Sequence, residues 1–273
     1  MAVSIVIPTR DSVEMLKACI LSLERIAGLA IEIIVVDNGA TRPEARAYLD
    51  AIRSRPGISV LLLDIPFNFS RLCNAGARLA RHPVLLFLND DVEALDGVWL
   101  LRLLSFLACA DTGVVGARLL YPSGDLQHAG IASNLVPGPG HPWRGQSRPE
   151  WERNPFVTTV GEVDAVTAAC LGIRRDLFFN LGGFDEENFA VTINDVDLCL
   201  RVKALGLKVV YVPEATLVHK EGQSRRSDEH PGEAIRRRAE LAAYVRRHRH
   251  AASVSCFYPS YLRRDTDQAT PIV

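Results

Sequence analysis

"VLLFLNDDVEALDG", residues 84 to 97, sets five apolar residues directly against Asn89, Asp90 and Asp91. A short apolar run of this kind reads as a strand buried on both faces. Nothing in a buried strand favours paired carboxylates at its end, because desolvation and mutual repulsion both oppose their charge. A missing partner, most simply a divalent cation, would resolve the conflict.

Outward from that stretch, strand-like and helix-like runs alternate. "VSIVIPT" (3–9) is β-branched and is stopped by Pro8. From Ser12 to Ile26, Met15, Leu16, Cys19, Ile20 and Leu23 fall at helical spacing behind Ser12 as a candidate cap. "IEIIVVDNG" (31–39) is a second strand and "RPEARAYLDAIRS" (42–54) a helix with Pro43 in its first turn. "ISVLLLD" (58–64) predicts a third strand, Leu72 to Ala80 a third helix, and "VLLFLND" a fourth strand. Strict β–α alternation implies a mostly parallel, Rossmann-like α/β sheet covered by helices. Asp37, Asp64 and the Asp90–Asp91 pair all close strands, and such sheets bind ligands at the carboxyl ends of their strands. The first β-to-α connection, "PTRDS", lacks the G-x-G-x-x-G of a dinucleotide site.

Past Gly113 the pattern loosens into strands and turns. Residues 135–155, "LVPGPGHPWRGQSRPEWERNP", predict a long mobile loop by composition. "DVDLCLRVKALG" is an amphipathic helix ending at Gly206, and "LKVVYVPEATLVHK" reads as a strand pair broken by Pro213. Residues 233–249 form a basic helix, and a loose tail follows.

Composition narrows the class. At 273 residues, 48% hydrophobic and 23% charged, the chain can bury a substantial core, and a net charge of −1 gives no global reason to expect nucleic acid. The six cysteines form no C-x-x-C pair and read as reduced thiols of a cytoplasmic protein. No signal peptide is expected at the N-terminus, and the longest apolar stretch (98–110) is interrupted by Arg102 and too short to span a bilayer. The chain is expected to be soluble, or at most to lie on a membrane surface through its basic helix.

Three constellations carry chemistry. Asp90 and Asp91 at a strand end suit Mg²⁺ or Mn²⁺, which prefer oxygen ligands and share them with phosphates; a turn of solvated acids is the plain alternative. Asn194 or Asp195 either caps the helix carrying Leu198, Leu200 and Val202, or supplies a rigid, ionised general base. His219, after an apolar strand, is structural or a further metal ligand.

The order of several segments resembles the family 2 glycosyltransferases, closest to the branch that builds O-antigen and other bacterial surface polysaccharides. "VSIVIPT", "IIVVDNG", "FNFSRLCNAGARLA", "VLLFLNDDVE", "VGARLLYPSGDLQHAG", "GGFDEENF" and the run from "NDVDLCLRVKALG" to "HKEGQSRR" carry the likeness across about residues 3–226. The resemblance implies a GT-A fold over 1–232, with a nucleotide-binding half to about 112 and an acceptor-side half after it, followed by the helix and tail of 233–273. It implies that Pro8, Thr9, Asp37 and Asp90 bind the nucleoside, and that Asp91 and His219 hold Mg²⁺ or Mn²⁺. Asp195 matches the catalytic base of an inverting transfer, and Arg225 and Arg226 are candidates to close on the diphosphate. The implied donor is a nucleotide sugar, UDP- or dTDP-linked by preference, and the implied acceptor a glycan or lipid-linked hydroxyl. His128 falls in a shared segment without an assigned role. Asn89, Asn194 and Lys220 depart from the commoner residues of the family, and none of them removes a group the mechanism needs. Two rivals stand beside this reading. A sugar nucleotidyltransferase normally needs a Gly-rich basic loop that "PTRDSVE" does not supply, and a pseudo-glycosyltransferase has no need to keep Asp91, Asp195 and His219 together.

Overall fold

The computed structural model describes residues 1–221, 231–251 and 253–266. Its first half follows the expected alternation: β1 (Ala2–Thr9), α1 (Val13–Leu23), β2 (Ala30–Asp37), α2 (Pro43–Arg53), β3 (Ile58–Leu62), α3 (Phe69–Leu79) and β4 (Val84–Leu88). These four strands lie parallel in the order β3-β2-β1-β4. Pro43 opens α2, where its missing N–H breaks no helical bond. Asn68 caps α3 by accepting from the Arg71 N–H. Ser12 sits at the N-cap position of α1, but its hydroxyl donates to the Arg10 carbonyl at 3.2 Å instead of capping.

The second half threads back into the same sheet through β5 (Val92–Ala94), α4 (Trp99–Ser105), β6 (Thr112–Leu120), β7 (Leu126–His128), α5 (Arg148–Trp151) and α6 (Pro155–Thr158). It continues through β8 (Gly161–Glu162), β9 (Cys170–Arg174), α7 (Arg175–Asn180), α8 (Asn194–Ala204), β10 (Lys208–His219) and α9 (Pro231–Arg247). The described residues form one ten-stranded sheet, β3-β2-β1-β4-β9-β6-β10-β5, with β7 on β6 and β8 on β10. Because β9 runs antiparallel between β4 and β6, strict alternation gives way to a mixed sheet beyond the parallel block.

Strand β1 shows how the sheet buries both faces. Val6 joins the core under α3 and α8, while Val3, Ile5 and Ile7 join the core under α1, α2 and α4. That is the two-residue period of a pleated strand. β4 is buried throughout, flanked by β1 and β9, so its carboxyl end is where the Asn-Asp-Asp turn must emerge.

Three sequence expectations are corrected. Residues 208–219 form one strand, not a pair: its register on β6 shifts between Val212 and Thr216, and Pro213, which has no N–H to donate, sits in that bulge. Residues 135–155 are packed, not loose. Trp143 and Trp151 are buried, the Trp151 indole donates to the Gly124 carbonyl, and Ser147 with Glu150 forms a capping box. The described part of the tail packs as well, with Tyr258 and Leu262 buried beside Ala132 and Leu135.

Helix α3 crosses the sheet at Gly76, where an added Cβ would meet Val6 Cγ1 at 2.5 Å and Val36 Cγ2 at 2.8 Å. Gly76→Ala is expected to lower unfolding free energy by roughly 1–3 kcal/mol despite alanine's better helix propensity. Denaturant unfolding measures this; a variant as stable as wild type would show that α3 can lift off the sheet without loss.

Candidate active site

Strands β1, β4 and β10 all end at one edge of the sheet and open a cleft of about 560 Å³. Pro8 and Thr9 line it from β1, Asn89, Asp90 and Asp91 from the turn after β4, and His219 from the end of β10. Asp195 enters from the first turn of α8. Asp37 ends β2 in register with Thr9, but the adjacent Asn38 lines the cleft in its place. Arg225 and Arg226 lie outside the described residues.

Asp90 is buried and accepts from the Thr9 hydroxyl at 2.6 Å. Burial, reinforced by the neighbouring Asp91 charge, pushes its pKa up to about 7, against the pull of the Thr9 hydrogen bond. Asp37 is also raised, by burial first and then by Asp11 and Asp64, while the Ala40 N–H on its carboxylate works the other way.

Asp91 meets His219 through strand pairing. β5 runs antiparallel to the end of β10, with His219 opposite Val92, and the Lys220 N–H donates to the Asp91 carbonyl at 3.0 Å. Lys220 then pairs with Glu93 and fixes the corner. His219 Nε2 stands 3.0 Å from Asp91 Oδ1, yet that buried oxygen has no hydrogen-bond partner. Asn89 Oδ1 is buried and unpartnered in the same way, and Asn89 Nδ2 lies 3.4 Å from His219 Nε2.

Among the described residues, no three or more His, Cys, Asp or Glu side chains are arranged so that they alone could hold a metal ion. One carboxylate, one imidazole and an amide oxygen nevertheless fit Mg²⁺ or Mn²⁺, which take few protein ligands and complete their shell with substrate phosphates and water. Two unsatisfied buried oxygens beside an imidazole nitrogen are the observation behind that fit.

Asp195 does not cap α8 as one sequence reading expected. The N-cap position is Ile193, and Asn194 instead donates from its amide to the Val191 carbonyl. Asp195 Oδ2 accepts from the Ala168 N–H at 3.1 Å and Oδ1 from the Val196 N–H at 2.8 Å, leaving part of the carboxylate open to the cleft. Burial raises its pKa and those two N–H donors oppose the rise. The turn before it is strained: Ile193, a β-branched residue, has φ of 64°. That turn is held from outside by Glu240 of α9, which accepts from the N–H groups of Val191 and Thr192 at 3.0 and 3.1 Å and from the Thr192 hydroxyl. Asp197, one turn into α8, is fully buried and binds Arg201, Arg247 and His248, tying α9 to α8 again.

His128 lies away from the cleft, buried with its Nδ1 2.9 Å from His141 Nδ1. Burial drives both imidazoles toward the neutral form, His141 to a pKa of about 4. Several residues near the site escape sequence reading. Phe67, Phe69, Arg237 and Glu221 line the cleft, and Glu240 and Gln127 support it from behind. Gln127 adjoins the histidine that drew attention, but a polar residue in a short strand carries no signal of its partner.

The mixed sheet, with its parallel block β3-β2-β1-β4, has the GT-A architecture. The solved structure described as GalNAc-T7 with UDP, GalNAc and Mn²⁺ superposes with a TM-score of 0.66 at 18% identity, over 80% of this chain and 44% of that one. The sequence profile described as Glycosyl transferase family 2 matches residues 4–180, and the chain belongs to that family. It is 38% identical over 239 residues to the O-antigen biosynthesis protein RfbC of Myxococcus xanthus, a match covering 84% of this chain and 18% of that relative's length. It is 32% identical over 126 residues to the N-acetylglucosaminyl-diphospho-decaprenol L-rhamnosyltransferase of Mycobacterium tuberculosis, over 42% of this chain and 40% of that protein.

The raised Asp90 pKa has a signed consequence. Its folded value of about 7 exceeds an unfolded value near 3.9, so the stability of the metal-free protein falls as pH rises between them and is flat above. In EDTA, Asp90→Asn should therefore stabilise the protein at pH 8 by roughly 1–3 kcal/mol and much less at pH 5. Thermal melts at the two pH values test this; an equal effect at both would mean Asp90 is not the titrating group.

Proposed function

We propose that this chain is a metal-dependent inverting glycosyltransferase. It would move a sugar from a nucleotide-diphosphate donor to a hydroxyl of a glycan or lipid-linked acceptor in surface-polysaccharide synthesis. One observation carries the reading: an unsatisfied Asp91 oxygen facing His219 Nε2 in the same cleft as the Asp195 carboxylate. Asp91 and His219 would hold Mg²⁺ or Mn²⁺, which when bound supplies charge neutralisation at the departing diphosphate. The Mn²⁺ and UDP named with GalNAc-T7, and the lipid diphosphate acceptor named for the mycobacterial relative, support these choices.

Asp195 accepts the acceptor hydroxyl's proton as that oxygen attacks the anomeric carbon and inverts it. The Ala168 and Val196 N–H groups aim the carboxylate, and burial makes it a better base than a solvated aspartate. Even so, a carboxylate is weak against an alcohol, so position matters more than basicity. Pro8, Thr9 and Asp90 are proposed to form the nucleoside end, with Asp37 beside the cleft-lining Asn38, and Arg225 and Arg226 are proposed to meet the diphosphate. A UDP- or dTDP-linked donor is favoured. Placement at the inner face of the membrane accords with α9, which exposes Ile235 and Val245 among its arginines. No helix among the described residues is long and apolar enough to cross a membrane.

Asp195→Asn should reduce transfer by about 10²–10⁴-fold while leaving nucleotide affinity near wild type. Calorimetric titration of UDP, dTDP and GDP, with Mn²⁺ and then with EDTA, gives the binding half of the test. Full turnover by the variant would remove Asp195 as the base, and nucleotide binding indifferent to EDTA would remove the metal. Separately, flotation with anionic liposomes should retain the protein, whereas recovery in the unbound fraction argues against the membrane placement.

A further inference from the structure

Gln127, on β7 and buried, touches no cleft space but contacts the histidine that does. Its Oε1 lies 2.6 Å from His219 Nδ1. Its Nε2 donates to Glu221 Oε2 at 3.1 Å and, more weakly, to the His219 carbonyl at 3.4 Å. Both of those atoms only accept, so the amide cannot turn round without placing oxygen against oxygen. The orientation of Gln127 is therefore dictated by Glu221, which Arg144 in turn holds at 2.9 Å from the packed 135–155 segment.

An amide oxygen cannot donate, so the proton between Gln127 and His219 must sit on Nδ1. In the neutral ring Nε2 then carries only a lone pair, and it faces the unpartnered Asp91 oxygen at 3.0 Å. Two acceptors held together this way are stabilised either by a further proton on Nε2 or by a cation that joins them, and a bound cation takes the place of that proton. We propose that Gln127 is a positioning residue: it fixes His219 in the Nδ1–H tautomer, so that Nε2 is presented as a cation ligand, and the Glu221–Arg144 pair fixes Gln127. This rests on the metal site proposed above. A group behind a ligating histidine commonly contributes 10–100-fold in metal affinity, roughly.

The test uses Mn²⁺ titration in the presence of UDP and, independently, long-range ¹H–¹⁵N correlation spectra of the metal-free protein, which report which ring nitrogen is protonated. Gln127→Leu should weaken Mn²⁺ binding about 10–100-fold and remove the Nδ1–H preference of His219. Gln127→Glu alone should also weaken binding, because it sets two carboxylates against each other. Gln127→Glu combined with Glu221→Gln exchanges acceptor and donor and should return affinity toward wild type. In a His219→Ala background, Gln127→Leu should change nothing further. Equal losses with and without His219, or a wild-type tautomer in Gln127→Leu, would overturn the positioning role alone. If His219→Ala and Asp91→Ala both leave Mn²⁺ affinity intact, the metal reading falls and this proposal with it, whatever the spectra show.

Discussion

Three residue pairs between β5 and the end of β10 govern the site. Leu217, Val218 and His219 lie opposite Ala94, Glu93 and Val92, and this short ladder alone brings the last strand of the sheet against the turn that follows β4. Asp91 and His219 are 128 residues apart in sequence, and the backbone pairing brings them close enough for their side chains to meet at 3.0 Å. The Lys220 N–H on the Asp91 carbonyl and the Lys220–Glu93 ion pair close the same corner from the next position along. The Pro213 bulge lets one strand pair with β6 on both sides of a register shift and still reach that corner.

The second constraint is local strain that the surrounding packing must hold. Asp90 and Asp91 sit at the end of a fully buried strand, and Ile193 adopts a left-handed conformation just before Asp195. Neither would persist on a loose loop. Glu240 and Asp197 supply the restraint on the Asp195 side, one binding two backbone N–H groups and the other joining Arg201, Arg247 and His248. Helix α9 is thus mechanically part of the wall that carries Asp195, although its basic exterior alone suggests a surface helix.

The parallel half of the sheet was legible because β-branched runs, helical spacing and strand-ending acids all point the same way from β1 to β4. Asp90 and Asp91 were legible as residue types out of place, whereas Asp195, an acid at a helix start, drew its expected role from the family resemblance. What followed Gly113 was harder. β9 inserts between β4 and β6 with no periodic signal that names its neighbours. The Pro- and Gly-rich stretch at 135–155 looked mobile because composition registers turns but not two buried indoles. Gln127 and Glu240 were illegible in principle, since each acts through a partner 92 or about 50 positions away. Ser12 does stand at the N-cap position, but its backbone is not in the extended conformation usual there and its side chain makes no capping bond.

Strand order also fixes when the site can exist. β10 lies between β6 and β5, and β9 between β4 and β6, so the centre of the sheet has gaps until β9 and β10 are available. Such non-local pairing raises contact order and slows folding. During synthesis, the parallel block from β1 to β4 emerges first and exposes the unpaired edge of β4, which only β9 covers. His219 arrives later still, on the strand that completes the sheet. A nascent chain can therefore form the Thr9–Asp90 contact between β1 and the β4 turn well before the Asp91–His219 contact, which waits for β10.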